Sequence, residues 1–133
     1  MSSKLYLIIG AGAVGRPFGF GIARGGGRVA FLARQGSTKP PQADFPLVEA
    51  RSGKADHLEA RWLSEMPPEE DLAAILICTR ADQLGGALSD FGEEIAARKS
   101  VPVVFFQPGF HDREKIEKAC PGVPLVQGNP GIL

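Results

Sequence analysis

Leu5-Tyr6-Leu7-Ile8-Ile9-Gly10-Ala11-Gly12-Ala13-Val14-Gly15 is the stretch that decides the fold. An apolar run of strand length leads straight into three glycines spaced G-x-G-x-x-G. Val14, Phe18, Ile22 and Ala23 then recur at helical spacing, Gly25-Gly26-Gly27 closes that helix, and a second apolar run follows. The pattern predicts a strand over 4–9, a helix from about 13 to 24 and a strand over 28–33. Each glycine has a separate task in such a unit. Gly10 lets the chain turn sharply out of the strand, Gly12 lets backbone approach a ligand with no Cβ in the way, and Gly15 lets the helix lie close to the sheet.

The helix's first-turn N–H groups have no intrahelical acceptor and stand at the positive end of the helix dipole, so this turn suits an anion, above all a dinucleotide pyrophosphate. The candidate contacts are Gly10, Ala11, Gly12, Ala13, Val14 and Gly15. Seventeen of the 133 residues are glycine, so a ligand-free glycine turn is the plain alternative; the strand before the motif and the helix after it favour the binding site. Arg34 extends the reading. NAD-binding domains place an Asp or Glu at this strand end to accept from the ribose hydroxyls, and no acid stands there. A guanidinium pairs bidentately with a 2′-phosphate, so the residues favour NADP(H) over NAD(H). Gln35, Ser37, Thr38 and Lys39 are placed to assist, and a solvated strand-end arginine is the competing explanation.

Farther along, residues 35–46 carry Gly36, Pro40, Pro41 and Pro46 among polar residues and read as a surface loop. Residues 46–50 and 58–63 are expected to be short strands around Ser52-Gly53. Residues 72–78 are almost wholly apolar, as befits a parallel strand buried on both faces. Leu84, Leu88, Phe91 and Ile95 define the apolar face of a helix over 82–98. A strand over 101–106, a short helix capped by Asp112 and running through Ala119, and a strand over 123–126 complete the alternation. The fold class is therefore α/β, a Rossmann-type doubly wound parallel sheet with right-handed crossovers. Ligands in such sheets lie beyond the strands' carboxyl ends, which singles out Arg34, Thr79, Arg80, Gln107, Pro108 and Gly109 with the glycine turn; for Thr79 a strand-end hydroxyl satisfying local backbone, and for Arg80 a surface charge, are equal alternatives.

From Gly10 to Arg34 the chain resembles the opening of ketopantoate reductases, including Gly19 and the terminal Leu32-Ala33-Arg34. Ile75-Leu76-Ile77-Cys78-Thr79-Arg80-Ala81-Asp82-Gln83 is similar to that family's fourth strand followed by Lys-x-x-Gln. Phe105-Phe106-Gln107-Pro108-Gly109-Phe110 is similar to its fifth strand followed by Asn-Gly. The resemblance implies an NADP cofactor, with Gln83 near it, and a small 2-oxo acid or related carbonyl as substrate. Two departures qualify this. Arg80 replaces the family's lysine near nicotinamide and substrate, and its planar fork is no equivalent of an ammonium. Pro108 replaces an asparagine and brings neither N–H nor side-chain donor. Ketopantoate itself is accordingly disfavoured. The family also carries a helical second domain that supplies the catalytic lysine and most substrate contacts, and nothing in this chain matches it. Residues 1–133 are thus expected to form an NADP-binding domain alone, with the catalytic residues unassigned.

Composition narrows the partners. Fifteen Lys and Arg balance fifteen Asp and Glu with no basic run, so the field that nucleic-acid binding needs is missing. The apolar stretches are strand-sized, which predicts no membrane span, and the start lacks signal-peptide character, which predicts a cytoplasmic location. Cys78 and Cys120 have no C-x-x-C spacing and read as free thiols in a reducing compartment, neither a nucleophile. The acidic groups Glu65, Glu69, Glu70, Asp71, Glu93 and Glu94 read as solvated faces, with no metal site. Arg16 reads as an exposed helix arginine or a phosphate contact, and Trp62 as core; His111 invites a catalytic role because it follows the fifth strand, but neither it nor His57, the weaker candidate, has a carboxylate partner at a telling spacing. Ile132-Leu133 is an apolar end compatible with burial in a homodimer. An oxidoreductase cofactor domain is the first function class; a non-catalytic dinucleotide sensor or regulatory module is the second, weakened because such modules favour an acid at position 34. A methyltransferase fails on the same missing acid.

Overall fold

A computed structural model describes residues 4–34, 36–37, 39–40, 42–48, 52–107 and 109–128. Seven strands form one sheet: β1 (Leu5–Ile9), β2 (Arg28–Leu32), β3 (Gln42–Val48), β4 (Ala55–Leu63), β5 (Leu72–Ile77), β6 (Val103–Phe105) and β7 (Leu125–Gln127), in the spatial order β3-β4-β2-β1-β5-β6-β7. All neighbours run parallel except the β3–β4 hairpin. Three helices, α1 (Gly15–Arg24), α2 (Ala81–Ala97) and α3 (Phe110–Ala119), follow β1, β5 and β6. The fold is the expected doubly wound α/β arrangement of the Rossmann type.

Strand periodicity divides the core into two layers. Leu7, Ile9, Leu32, Ile75, Ile77, Val103 and Phe105 point to one face, where Leu84, Leu88, Phe91 and Ile95 of α2 and Ile116 of α3 bury against them. Ile8, Phe31, Leu58, Ala74 and Leu76 point to the other, beneath Val14, Phe18 and Ile22 around α1. Side chains such as Ile75 and Leu84 lose all solvent contact, and each contributes roughly 2 kcal/mol of transfer free energy. Gly19 lets α1 settle onto its layer: a Cβ there would lie 3.1 Å from Leu58 and 3.2 Å from Ile8. Gly92 does the same for α2 against Ala119 of α3.

Several boundaries differ from expectation, each for a local reason. The two middle strands are longer than their sequence signal: β3 and β4 pair from Gln42 opposite Arg61 to Val48 opposite Ala55. Pro46 lies inside β3 rather than in a loop, which an edge strand tolerates because it need bond to only one neighbour. The strand expected over 101–106 shortens to Val103–Phe105, since Pro102 has no N–H to donate, although its carbonyl still accepts from Ile75. Asp112 is not the cap of α3. Gly109 takes that position, and Asp112 sits within the first turn, where its charge complements the helix dipole. Among the described residues no helix is long and apolar enough to cross a membrane.

Candidate functional site

Strand order runs outward from β1 in both directions, and a cavity of about 620 Å³ opens beyond the carboxyl ends of β1, β2 and β5. Its lining brings together Gly10, Ala11, Gly12, Ala13 and Val14 from the glycine turn, Arg34 after β2, and Thr79, Arg80 and Gln83 after β5. These residues come from three segments far apart in the chain.

The glycines can be assigned individual causes. Gly10 has φ +101°, and a Cβ there would stand 2.8 Å from the Thr79 amide nitrogen, so the turn needs glycine both for its dihedral and for contact with the end of β5. Around Gly12 nothing lies within 4 Å of an added Cβ; this position faces open space. Gly15 does not line the cavity. It is buried in α1 with the Gly10 carbonyl oxygen in the place a Cβ would take.

Three cationic side chains line the cavity, Arg34, Lys39 and Arg80, and among its described lining residues there is no carboxylate. Arg34 reaches over α2: its Nε lies 3.9 Å from Asp90 Oδ2, and a Cβ at Gly86 would come within 3.2 Å of its Nη2. Arg80 caps α2 with extended backbone and forks onto Asp82 at 3.2 and 3.1 Å. Lys39 stands 5.3 Å above the Trp62 ring. Trp62 is half-buried: it packs on the core layer, 5.6 Å from the Phe31 ring and 6.0 Å from that of Phe45, and also forms part of the cavity wall. Its register allows both: β4 runs parallel to β2 with Trp62 opposite the buried Phe31, near the carboxyl ends of the two strands.

Gln107 is not among the lining residues. Only 2% exposed, it donates through Nε2 to the Thr79 carbonyl at 2.6 Å and accepts from the Phe106 amide, tying the end of β6 to that of β5. Pro108 lies outside the described residues, as do Gln35, Thr38 and Ile132-Leu133. His111 is largely exposed in the first turn of α3, 3.7 Å from Glu114, and His57 on β4 pairs with Glu59 at 3.3 Å; neither lines the cavity. Among the described residues no three His, Cys, Asp or Glu gather at ligand distance.

Cys78 lines the cavity, but burial pushes its thiol from 9.0 up to about 12, and Cys120 rises to about 11 for the same reason. Burial disfavours the thiolate. Native protein at pH 8.5 should therefore react with iodoacetamide far more slowly than unfolded protein, and prompt alkylation of Cys78 would contradict the burial. Because both folded values are raised, the thiols' contribution to stability is complete below pH 9 and declines as pH climbs toward 12.

The family described as ketopantoate reductase PanE/ApbA matches residues 6–130. No curated protein sequence matches the chain. Among solved structures, a dimeric ketopantoate reductase from Staphylococcus aureus aligns over 92% of this chain and 41% of its own, with TM-score 0.59 and 15% identity. D-mandelate dehydrogenase, solved with NADH and anilino(oxo)acetate, aligns over 95% of this chain and 40% of its own, with TM-score 0.69 and 27% identity. A conserved protein of unknown function from Silicibacter pomeroyi aligns over 96% and 52%, with TM-score 0.55 and 19% identity. The chain thus spans well under two thirds of the length of each.

Proposed function

The chain belongs to the ketopantoate reductase PanE/ApbA family, and from that premise we propose that residues 1–133 are the NADP(H)-binding domain of an oxidoreductase acting on a small 2-oxo acid or related carbonyl. The observation that carries this reading is the cavity itself, which joins the turn before a helix N-terminus to three cations, with no carboxylate among its described lining residues. Such a place suits a ligand with several phosphates.

The residues present fit a nicotinamide dinucleotide. The open space around Gly12 leaves room for a pyrophosphate against backbone amides, and Arg34 with Lys39 would hold the 2′-phosphate at the rim beyond β2. Thr79, Arg80 and Gln83 would face the other portion of the cofactor, where Arg80 could hold a substrate carboxylate. A bound nicotinamide supplies hydride to the carbonyl carbon; the chain's part is to bind, orient and screen charge. The remaining substrate contacts and the proton donor are proposed to come from outside residues 1–133, in the helical domain that the family resemblance implies. Two buried free cysteines support the proposal of a reducing, cytoplasmic compartment.

Calorimetric titration of the chain with NADPH and NADH tests the reading. NADPH is expected to bind at least about tenfold more tightly. Equal affinities would remove the selectivity, and no binding of either would remove the assignment.

A further inference from the structure

We infer that Arg16 is a positioning residue: by holding the Ala11 carbonyl on the outer side of the glycine turn, it fixes the Gly12 amide toward the cavity. The inference deepens the cofactor reading above and rests on it for the ligand. Arg16 Nε donates to Ala11 O at 2.8 Å, across the start of α1. Its guanidinium carbon lies 4.4 Å from the centre of the Phe45 ring, and Phe45 is buried with its edge against Phe31 at 5.1 Å. The arginine is half-buried and is not among the cavity's lining residues. It stands on α1 as a brace between turn and sheet.

Peptide geometry gives that brace its consequence. In a planar trans peptide the C=O and the following N–H point in opposite directions. Holding Ala11 O outward on Arg16 therefore sends the Gly12 N–H the other way, and Gly12 lines the cavity. This peptide is unusually easy to invert. Flipping it would carry Gly12 from its present conformation to positive φ, which a glycine adopts at little steric cost. Val14 caps α1 without a side-chain hydrogen bond and the first turn has no acidic residue; the Gly12 carbonyl accepts from the Arg16 amide at 3.1 Å, which anchors the next peptide and leaves the Ala11–Gly12 peptide to the Arg16 side chain. After a flip the Ala11 carbonyl would face the cavity, offering an acceptor where an anion needs a donor.

The test uses the full chain with Arg16→Met, which keeps an apolar stem over Phe45, and Arg16→Lys, which keeps the charge without the fork. Each is titrated with NADP⁺ and with adenosine 2′-phosphate, which has no pyrophosphate, and the Gly12 amide resonance is followed by NMR in the free protein. Arg16→Met should weaken NADP⁺ binding by about tenfold, leave adenosine 2′-phosphate within about twofold, and shift the Gly12 resonance; Arg16→Lys should rescue little. Full rescue by lysine would mean that the charge touches phosphate directly and would overturn the inference. So would equal loss for both ligands, or a Gly12 resonance unchanged in both variants. If wild-type protein bound neither ligand, the cofactor reading would fall, while the Gly12 resonance would still decide whether Arg16 holds the turn.

Discussion

Gly15→Ala is expected to remove measurable dinucleotide binding and to lower the free energy of unfolding by about 3 kcal/mol, at the upper end for an overpacked site. The new methyl would occupy the place of the Gly10 carbonyl oxygen, and neither partner can yield: one is helical backbone, the other a turn pressed against Thr79. Relief requires α1 to lift from Ile8 or the turn to open, and both movements carry the amides of residues 12–14 away from the cavity. Gly21→Ala supplies the contrast. It lies on the same helix with nothing within 4 Å of the added carbon, so it should stabilise by about 0.5–1 kcal/mol through helix propensity and leave binding unchanged. Urea denaturation and calorimetry on the two variants read both effects. A Gly15→Ala protein as stable and as competent as wild type would contradict the packing described for the turn.

Arg34→Asp should reverse the nucleotide preference, reducing NADPH affinity by about a hundredfold while changing NADH affinity by only a few-fold. The substitution deletes a two-pronged donor and sets a carboxylate beside the 2′-phosphate and close to Asp90. Arg34→Gln, which removes the attraction without adding repulsion, should fall between. Stability should hardly move in either variant, because the Arg34–Asp90 contact is long, at 3.9 Å, and Arg34 is three-quarters exposed. Equal losses for NADPH and NADH would show that Arg34 serves the turn or the adenine and does not select the phosphate.

The parts of the molecule legible in the sequence are those with a local period. Ile8 and Ile9 before the glycines, and Leu84, Leu88, Phe91 and Ile95 along α2, announce their buried faces because a strand or helix repeats its contacts at fixed intervals. The first βαβ unit, the two layers and the gathering of Arg34, Thr79, Arg80 and Gln83 at one rim follow from that. What escaped depends on meetings between distant segments. Trp62 does pack on the core, but its share in the cavity wall is not visible until β4 is known to lie parallel to β2. Asp90 has no visible connection with Arg34 in the sequence, since it comes from the middle of α2, 56 residues farther along the chain. Gln107 follows a buried strand and so resembles a ligand contact, yet its amide is wholly engaged with neighbouring backbone. Arg16 carries no sequence signal for its role, because neither the turn of Ala11 nor the approach of Phe45 can be read from residue type.

Thr79 is clasped from two directions, by the bare backbone of Gly10 on one side and the amide of Gln107 on the other. The floor beneath an arriving molecule is in this way assembled before any encounter. For the dinucleotide proposed above, the ordering of Thr79 would thus be complete at folding and would not subtract from affinity on binding.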